Sequence, residues 1–428
     1  MRNRLLIWCT VLIGVVLLPA AQADESWQLV RTVMLVRHGV RAPSQGSAKL
    51  DAFSARGWPA WPVAAGELTS HGYHDMVLLG QYLGLQYRTN GLLAAGDCQA
   101  TSQVLVWSDN LDQRTRLSGQ ALLDGMLPGC AATARYAVPL TVPDLMFHPV
   151  QNRVCSLDAA LVNRSVQDAL ARLTGMDMHP DKVGAALVKL GRLLHPEWSD
   201  ARLQQWAAPG LQVSTGHDGY QLKLLPPYGE AATVSEIFSL EYGQGLPADQ
   251  VAWGNAGSAD ALAGWMTLHN LKLAAVEQAD YVAKRNGSML ARRILAELQN
   301  QPDTNSAAGY KLVILVGHDT NVANLAGMLN LYWHDRNQPD DIGPGTALVF
   351  DLLRNQSGQH LVRVRLIRQT ADQLRWARKL DNGHPPLVSQ LAVPGCQDEV
   401  DGLCTLPAFA RLLTERIDPQ CAGHANGV

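Results

Sequence analysis

The sequence predicts an α/β fold with a helical insertion, and three observations carry that prediction. Short apolar, β-branched runs stand near both ends of the chain, at Thr32–Val36, Gln103–Ser108 and Lys311–Val316, the pattern of strands buried on both faces. The third run passes through Gly317-His318-Asp319-Thr320-Asn321 into Val322–Leu329, a strand, a turn and a helix. Between them lies a long middle with helical apolar spacing, broken by Pro and Gly. Strand-rich flanks around a helical middle read as an α/β domain interrupted by an insertion.

Taken in order, the first element is a secretory leader. Arg2 and Arg4 precede the apolar run Leu5–Leu18, and Ala21-Gln22-Ala23 is a small-x-small cleavage site before Asp24, so Met1–Ala23 is set apart from the fold. The strand Thr32–Val36 follows. Thr69 caps a helix to Arg88 that stops near Asn90-Gly91, with His71 and His74 as surface residues on it. The middle shows helical spacing at Leu161–Leu173, Lys182–Leu194, Thr233–Tyr242, Ala259–Lys284 and Ser288–Leu298. Late in the chain Thr346–Leu353 and Leu361–Ile367 flank Asn355-Gln356-Ser357-Gly358-Gln359, a hairpin signal. The expected division is 24–157 and 304–428 for the α/β domain and 158–303 for the mainly helical insertion.

The chain has 428 residues, 47% hydrophobic and 17% charged, with a net charge of −3. It can bury a large core, and nothing in its overall field favours nucleic acid or an anionic membrane. An anionic substrate must be drawn by local cations. Six cysteines remain after the leader, Cys98, Cys130, Cys155, Cys396, Cys404 and Cys421. An even count in an exported chain points to disulfides, and the lack of Cys-x-x-Cys argues against zinc.

The chemistry concentrates at two strand ends. Arg37-His38-Gly39-Val40-Arg41-Ala42-Pro43 places one imidazole between two guanidinium groups. Planar forks match phosphate oxygens, and a nucleophile among them suggests phosphoryl transfer through a phosphohistidine. Gly317-His318-Asp319 supplies a second imidazole and a carboxyl at another strand-to-helix turn, where open α/β sheets place ligands. Asp319 or Thr320 is also a good helix cap.

With these two motifs the chain resembles the histidine acid phosphatases, in particular the bacterial periplasmic phytases and glucose-1-phosphatases. Trp58-Pro59-Ala60-Trp61-Pro62, Gly66-Glu67-Leu68-Thr69, Asp112-Gln113-Arg114-Thr115-Arg116, Ser235-Glu236-Ile237-Phe238, Leu268-His269-Asn270 and Pro344-Gly345 fall in the order of that group. The resemblance implies a mostly parallel central sheet flanked by helices, and the pairs Cys98–Cys130, Cys155–Cys421 and Cys396–Cys404.

It also implies roles. His38 is the nucleophile and Asp319 the general acid, then the base for water. Arg37, Arg41 and Arg114 clamp the phosphate, Arg114 from the turn after the Gln103–Ser108 strand, and His318 is a fourth donor. Ser44 and Thr320 are further phosphate contacts, and Glu236 and His269 line the pocket. The scheme uses no metal and no cofactor. The expected partner is a small phosphomonoester, with no nucleic acid and no membrane after leader removal, in a periplasmic or secreted monomer.

The substrate expected first is phytate, with glucose 1-phosphate or a broad range of esters as the alternative. Thr320 matches the phytase type. Gln45 stands where that type has Lys, which removes a cation suited to a heavily phosphorylated substrate. A binding protein without chemistry would lack His38 or Asp319, and both are present. A mutase of the superfamily would lack the leader and the disulfides.

Overall fold

A computed structural model describes residues 27–423 apart from Ala55, Asp97, 175–179, 300–308, 397–398 and 401–402. The expected leader and the boundary at Thr304 lie outside the described residues. Among the described residues no helix is long and apolar enough to cross a membrane.

A nine-stranded sheet organises the chain. Its centre is built from β1 (Gln28–Arg37), β2 (Val104–Ser108), β3 (Arg135–Tyr136) and β4 (Leu312–Gly317). The spatial order β1-β4-β2-β3 is parallel throughout. The expected parallel arrangement describes this half. On the other side of β1 the sheet continues as an antiparallel wing: β5 (Ala347–Arg354), β6 (His360–Arg368) and β7 (Leu387–Leu391). The β5–β6 hairpin is the one signalled by Asn355–Gln359.

Side chains alternate across a strand, and here both faces are covered. Val33 and Leu35 of β1 face a layer that includes α7 (Asp280–Leu298) and α8 (Asp319–Leu329), through Leu290, Ile294, Val322 and Leu325. Met34 and Val36 face α1 (Ser70–Thr89) and α2 (Gln113–Met126), through Met76, Leu79, Leu83 and Leu122. This double burial makes the strand runs read as continuously apolar.

The middle helices share a separate apolar cluster. Val162 and Val166 come from α3 (Ala159–Thr174), Leu187 and Leu190 from α4 (Pro180–Leu194), Phe238 from α5 (Tyr228–Gly243), and Trp265 and Met266 from α6 (Ala259–Lys272). The single helix expected over Ala259–Lys284 is interrupted: α6 ends at Lys272, a π turn spans Leu273–Glu277, and α7 begins at Asp280. Asn286-Gly287, which reads as a break, lies inside α7. A Cβ on Gly287 would stand 2.7 Å from Met328 Sδ, so this glycine serves the close crossing of α7 and α8.

Three disulfides join the pairs implied by the resemblance, Cys98–Cys130, Cys155–Cys421 and Cys396–Cys404.

Candidate functional site

Strand register brings the two motifs together. In the parallel pairing of β1 and β4, Arg37 lies opposite Gly317, and Ser108 of β2 lies opposite Val316. The residues leaving these strands, His38, His318 and Asp109, therefore emerge at one edge, the carboxyl ends of parallel strands where such sheets bind ligands. Backbone bonds lock the edge: His38 N–H donates to Gly317 O at 3.0 Å, and Asp109 N–H to Val316 O at 2.9 Å. The glycine of the first motif is dictated by packing, since a Cβ on Gly39 would come within 2.7 Å of Gly72 O in α1. Thr69 caps that helix as expected, its hydroxyl accepting from Gly72 N–H.

His38 is 2% exposed. Its Nδ1 lies 2.8 Å from Gly39 O. A carbonyl only accepts, so Nδ1 carries the proton and the Nε2 lone pair is left for the site. Burial, reinforced by Arg114, Arg41 and Arg37, holds the imidazole pKa well below its ordinary value. The ring stays neutral into acid.

The guanidinium groups are held by acids and carbonyls. Arg37 donates through Nη1 to Asp340 Oδ2 and Ile342 O, and through Nη2 to Glu236 Oε1 at 2.7 Å. Arg41 donates to the same Glu236 oxygen at 2.8 Å and to Ala42 O. One carboxylate oxygen thus spans the two forks that the sequence assigns to a phosphate. Arg114 is not on a turn; it sits in the first turn of α2, because the chain enters that helix directly after its N-cap Asp112. Arg114 pairs with Asp112 at 2.7 Å, donates to Gly66 O at 3.2 Å, and approaches His318 Nδ1 at 3.5 Å.

His318, rather than Asp319 or Thr320, is the N-cap of α8, and its N–H is accepted by Asn321 Oδ1. Asp319 and Thr320 occupy the first turn. Asp319 Oδ1 accepts from Thr320 N–H, and Oδ2 stands 3.7 Å from Arg37 Nη2 and 4.0 Å from His269 Nε2. Burial pushes this carboxyl up, but Arg37, Lys272, His269 and His38 outweigh it and hold it well below the usual carboxylate range. Glu236 is also lowered: burial raises it, and Arg41 and Arg37 pull it down.

Sequence reasoning passed over Asp109, His148 and Asp340. Asp109 Oδ2 bonds His318 Nε2 at 2.8 Å and His148 Nε2 at 2.9 Å. Burial raises Asp109, but those bonds keep it ionised. Burial lowers His318 despite Asp109. With Nε2 turned to Asp109, His318 offers a donor from Nδ1 only when doubly protonated. Asp109, His148 and His318 are the group among the described residues near enough to share a metal ion, yet both rings already bond one Asp109 oxygen. Asp340 fastens Arg37 and accepts from Ser239 Oγ at 3.0 Å. His71 is half-buried against Leu374 O, and His74 is exposed, both away from this set.

The structure thus unites His38, Asp319, Arg37, Arg41, Arg114 and His318, with Glu236 and His269 among them. Ser44 is exposed and flanks Gly66, which Arg114 also contacts. Thr320 joins through its backbone. Three cations, a neutral imidazole and a carboxyl around one point can receive a tetrahedral oxyanion and exchange a proton with its ester oxygen.

A family model described as histidine phosphatase superfamily (branch 2) matches residues 28–367. The phytase AppA of Escherichia coli (strain K12) is 31% identical over 422 residues, covering 94% of this chain and 95% of that protein. A glucose-1-phosphatase of Salmonella typhimurium (strain LT2) is 27% identical over 416 residues, covering 94% and 96%. The structure of Hafnia alvei phytase in complex with myo-inositol hexakis sulphate superimposes with a TM-score of 0.84 at 32% identity, covering 93% of this chain and 99% of that one.

Proposed function

Because the chain belongs to branch 2 of the histidine phosphatase superfamily, we propose that it is an acid phosphomonoesterase of the phytase type, working through a phosphohistidine at His38. The observation that carries this reading is the bond from Nδ1 of His38 to Gly39 O, which leaves Nε2 as a lone pair among Arg37, Arg41 and Arg114.

In the first step Nε2 attacks phosphorus while the ester P–O bond breaks, and Asp319 gives its proton to the departing alkoxide. In the second, ionised Asp319 takes a proton from water as the oxygen attacks phosphorus and the N–P bond breaks, releasing orthophosphate. Arg37, Arg41 and Arg114 neutralise the equatorial oxygens. Ser44 and Thr320 add contacts at the rim, and His318 joins as a donor once protonated. In the ligand-free site Asp319 is ionised. A phosphate seated on Arg37 and Arg41 cancels their pull and raises the carboxyl, so the proton is taken up with the substrate and an acidic optimum follows. The same phosphate displaces Glu236 Oε1 from its place between the two forks.

Phytate is the substrate favoured by the AppA and Hafnia relatives. The second reading, a glucose-1-phosphatase, is favoured by Gln45, which puts an uncharged side chain at the position after Ser44, and by the Salmonella relative. The leader and disulfides support a periplasmic or secreted enzyme, with 158–303 as the inserted helical domain. Rates on phytate, glucose 1-phosphate and p-nitrophenyl phosphate at acidic pH test the proposal. Turnover of all three with the highest kcat/KM on phytate supports it, a preference for glucose 1-phosphate selects the second reading, and turnover of none overturns both.

A further inference from the structure

We propose that Lys272 reads a second phosphate on the leaving group, making it the residue that favours polyphosphorylated esters over simple ones. The inference rests on the phosphomonoesterase reading above and goes beyond it by assigning a residue to substrate choice.

Lys272 closes the last turn of α6, three positions after His269, so the two share a helix face. His269 Nε2 is itself 4.0 Å from Asp319 Oδ2. The helix face that carries Lys272 is thus the one that carries His269 toward Asp319, and the charge of the ammonium is felt by Asp319, Glu236 and Arg37. The chain beyond it leaves α-helical geometry for the π turn Leu273–Glu277, a device common at functional sites.

Side matters here. Asp319 faces the oxygen that leaves, so the body of the alcohol lies on the Asp319 side of the reacting phosphate. Arg37, Arg41 and Arg114 are committed to Asp340, Glu236, Asp112 and the reacting phosphate. A phosphate on the next carbon of the alcohol meets Lys272 instead. The Lys272 side chain is 29% exposed, and its Nζ is 3.9 Å from Glu277 Oε1, too long for a hydrogen bond. Burial raises the Glu277 carboxyl, helped by Asp319 and opposed by Lys272 and Asn324. In acid that neighbour loses its charge and the ammonium is left for an incoming anion. An ammonium suits this task, since it acts as a point charge that tolerates phosphates in varied orientations. It also places a cation near the pocket where Gln45 provides none.

The test compares wild type, Lys272→Met and Lys272→Arg on phytate and glycerol phosphate, reading the ratio of the two kcat/KM values. The ratio is needed because Lys272 also biases Asp319, and two alkyl esters that both need the acid share that effect, so it cancels. Lys272→Met should lower the phytate-to-glycerol-phosphate ratio roughly five- to tenfold, mainly through KM, and Lys272→Arg should restore most of it. An unchanged ratio in Lys272→Met overturns the inference. If wild type cleaves glycerol phosphate but not phytate, the phytate assignment fails alone. The ratio of 2,3-bisphosphoglycerate, whose phosphates sit on adjacent carbons, to 3-phosphoglycerate then decides on Lys272 by the same criterion.

Discussion

The backbone N–H of His38 donates to the carbonyl of Gly317 at 3.0 Å, and Gly317 is the residue before His318. The bond extends the parallel ladder of β1 and β4 by one step. It fixes the distance between an imidazole near the start of the chain and a carboxyl nearly three hundred positions later. The site is therefore as rigid as the sheet centre, and its chemistry can be tested with single side-chain changes that leave the ladder intact.

The demand on Asp319 depends on the leaving group. A general acid contributes about 10²–10⁴-fold when the departing oxygen is basic. Asp319→Asn should cost roughly a hundredfold or more in kcat on an alkyl phosphate such as glycerol phosphate. The loss should be much smaller for phosphohistidine formation from p-nitrophenyl phosphate, whose phenolate leaves unaided. Burst kinetics on the two substrates check this; equal losses in the first step would remove Asp319 from the role of acid.

Glu236 competes with phosphate for Arg37 and Arg41, since a single Oε1 accepts from both. Glu236→Gln weakens that competition by removing the charge while keeping an acceptor. Inhibition by orthophosphate should tighten severalfold. A weaker inhibition constant would mean that Glu236 aligns the forks more than it blocks them.

Residues of the candidate site were legible where they stand in runs. Arg37, His38, Arg41 and His318-Asp319 stand at or just past the ends of strands whose double burial makes them unmistakably apolar, so their meeting at one edge could be read from the sequence. Asp109, His148 and Asp340 were not, because each is a lone polar residue whose importance arises only from register and from helices crossing above the edge. Asp109 becomes a partner of His318 because β2 pairs with β4. Arg114 was recognised but placed on a turn, although Asp112, an ordinary N-cap residue, stands directly before Gln113 and marks the start of the helix. The break between α6 and α7 was set too late, because a glycine in a helix reads as an interruption whether it ends the helix or admits a neighbour.

Stability should respond to pH through Glu241. It is buried, and its Oε2 accepts from Ala252 N–H at 2.8 Å. Burial, only partly opposed by that bond, raises its carboxyl from 4.5 to about 8. Between those two values the folded state holds a proton that the unfolded chain has released, so this group's contribution to stability falls as pH rises through the window and levels off above it. Glu241→Gln keeps the acceptor and removes the titration. Its melting temperature should drop less than that of wild type between about pH 5 and about pH 8; parallel curves would show that Glu241 does not titrate there.

Disulfide loss should scale with the chain enclosed. Cys155–Cys421 closes 266 residues and Cys396–Cys404 only 8. Replacing the first pair with Ser should cost about 2–5 kcal/mol, through a looser unfolded state, and the second less. Thermal unfolding of the two double variants gives the order; a larger drop for the short loop would contradict it.

The account stands or falls on a bond between phosphorus and His38 Nε2. Rapid mixing with phosphorus-labelled p-nitrophenyl phosphate, an alkaline quench and peptide mapping should find label on His38 within the first turnover, and none in His38→Ala. Full turnover with no labelled enzyme, or label on another residue, would contradict it.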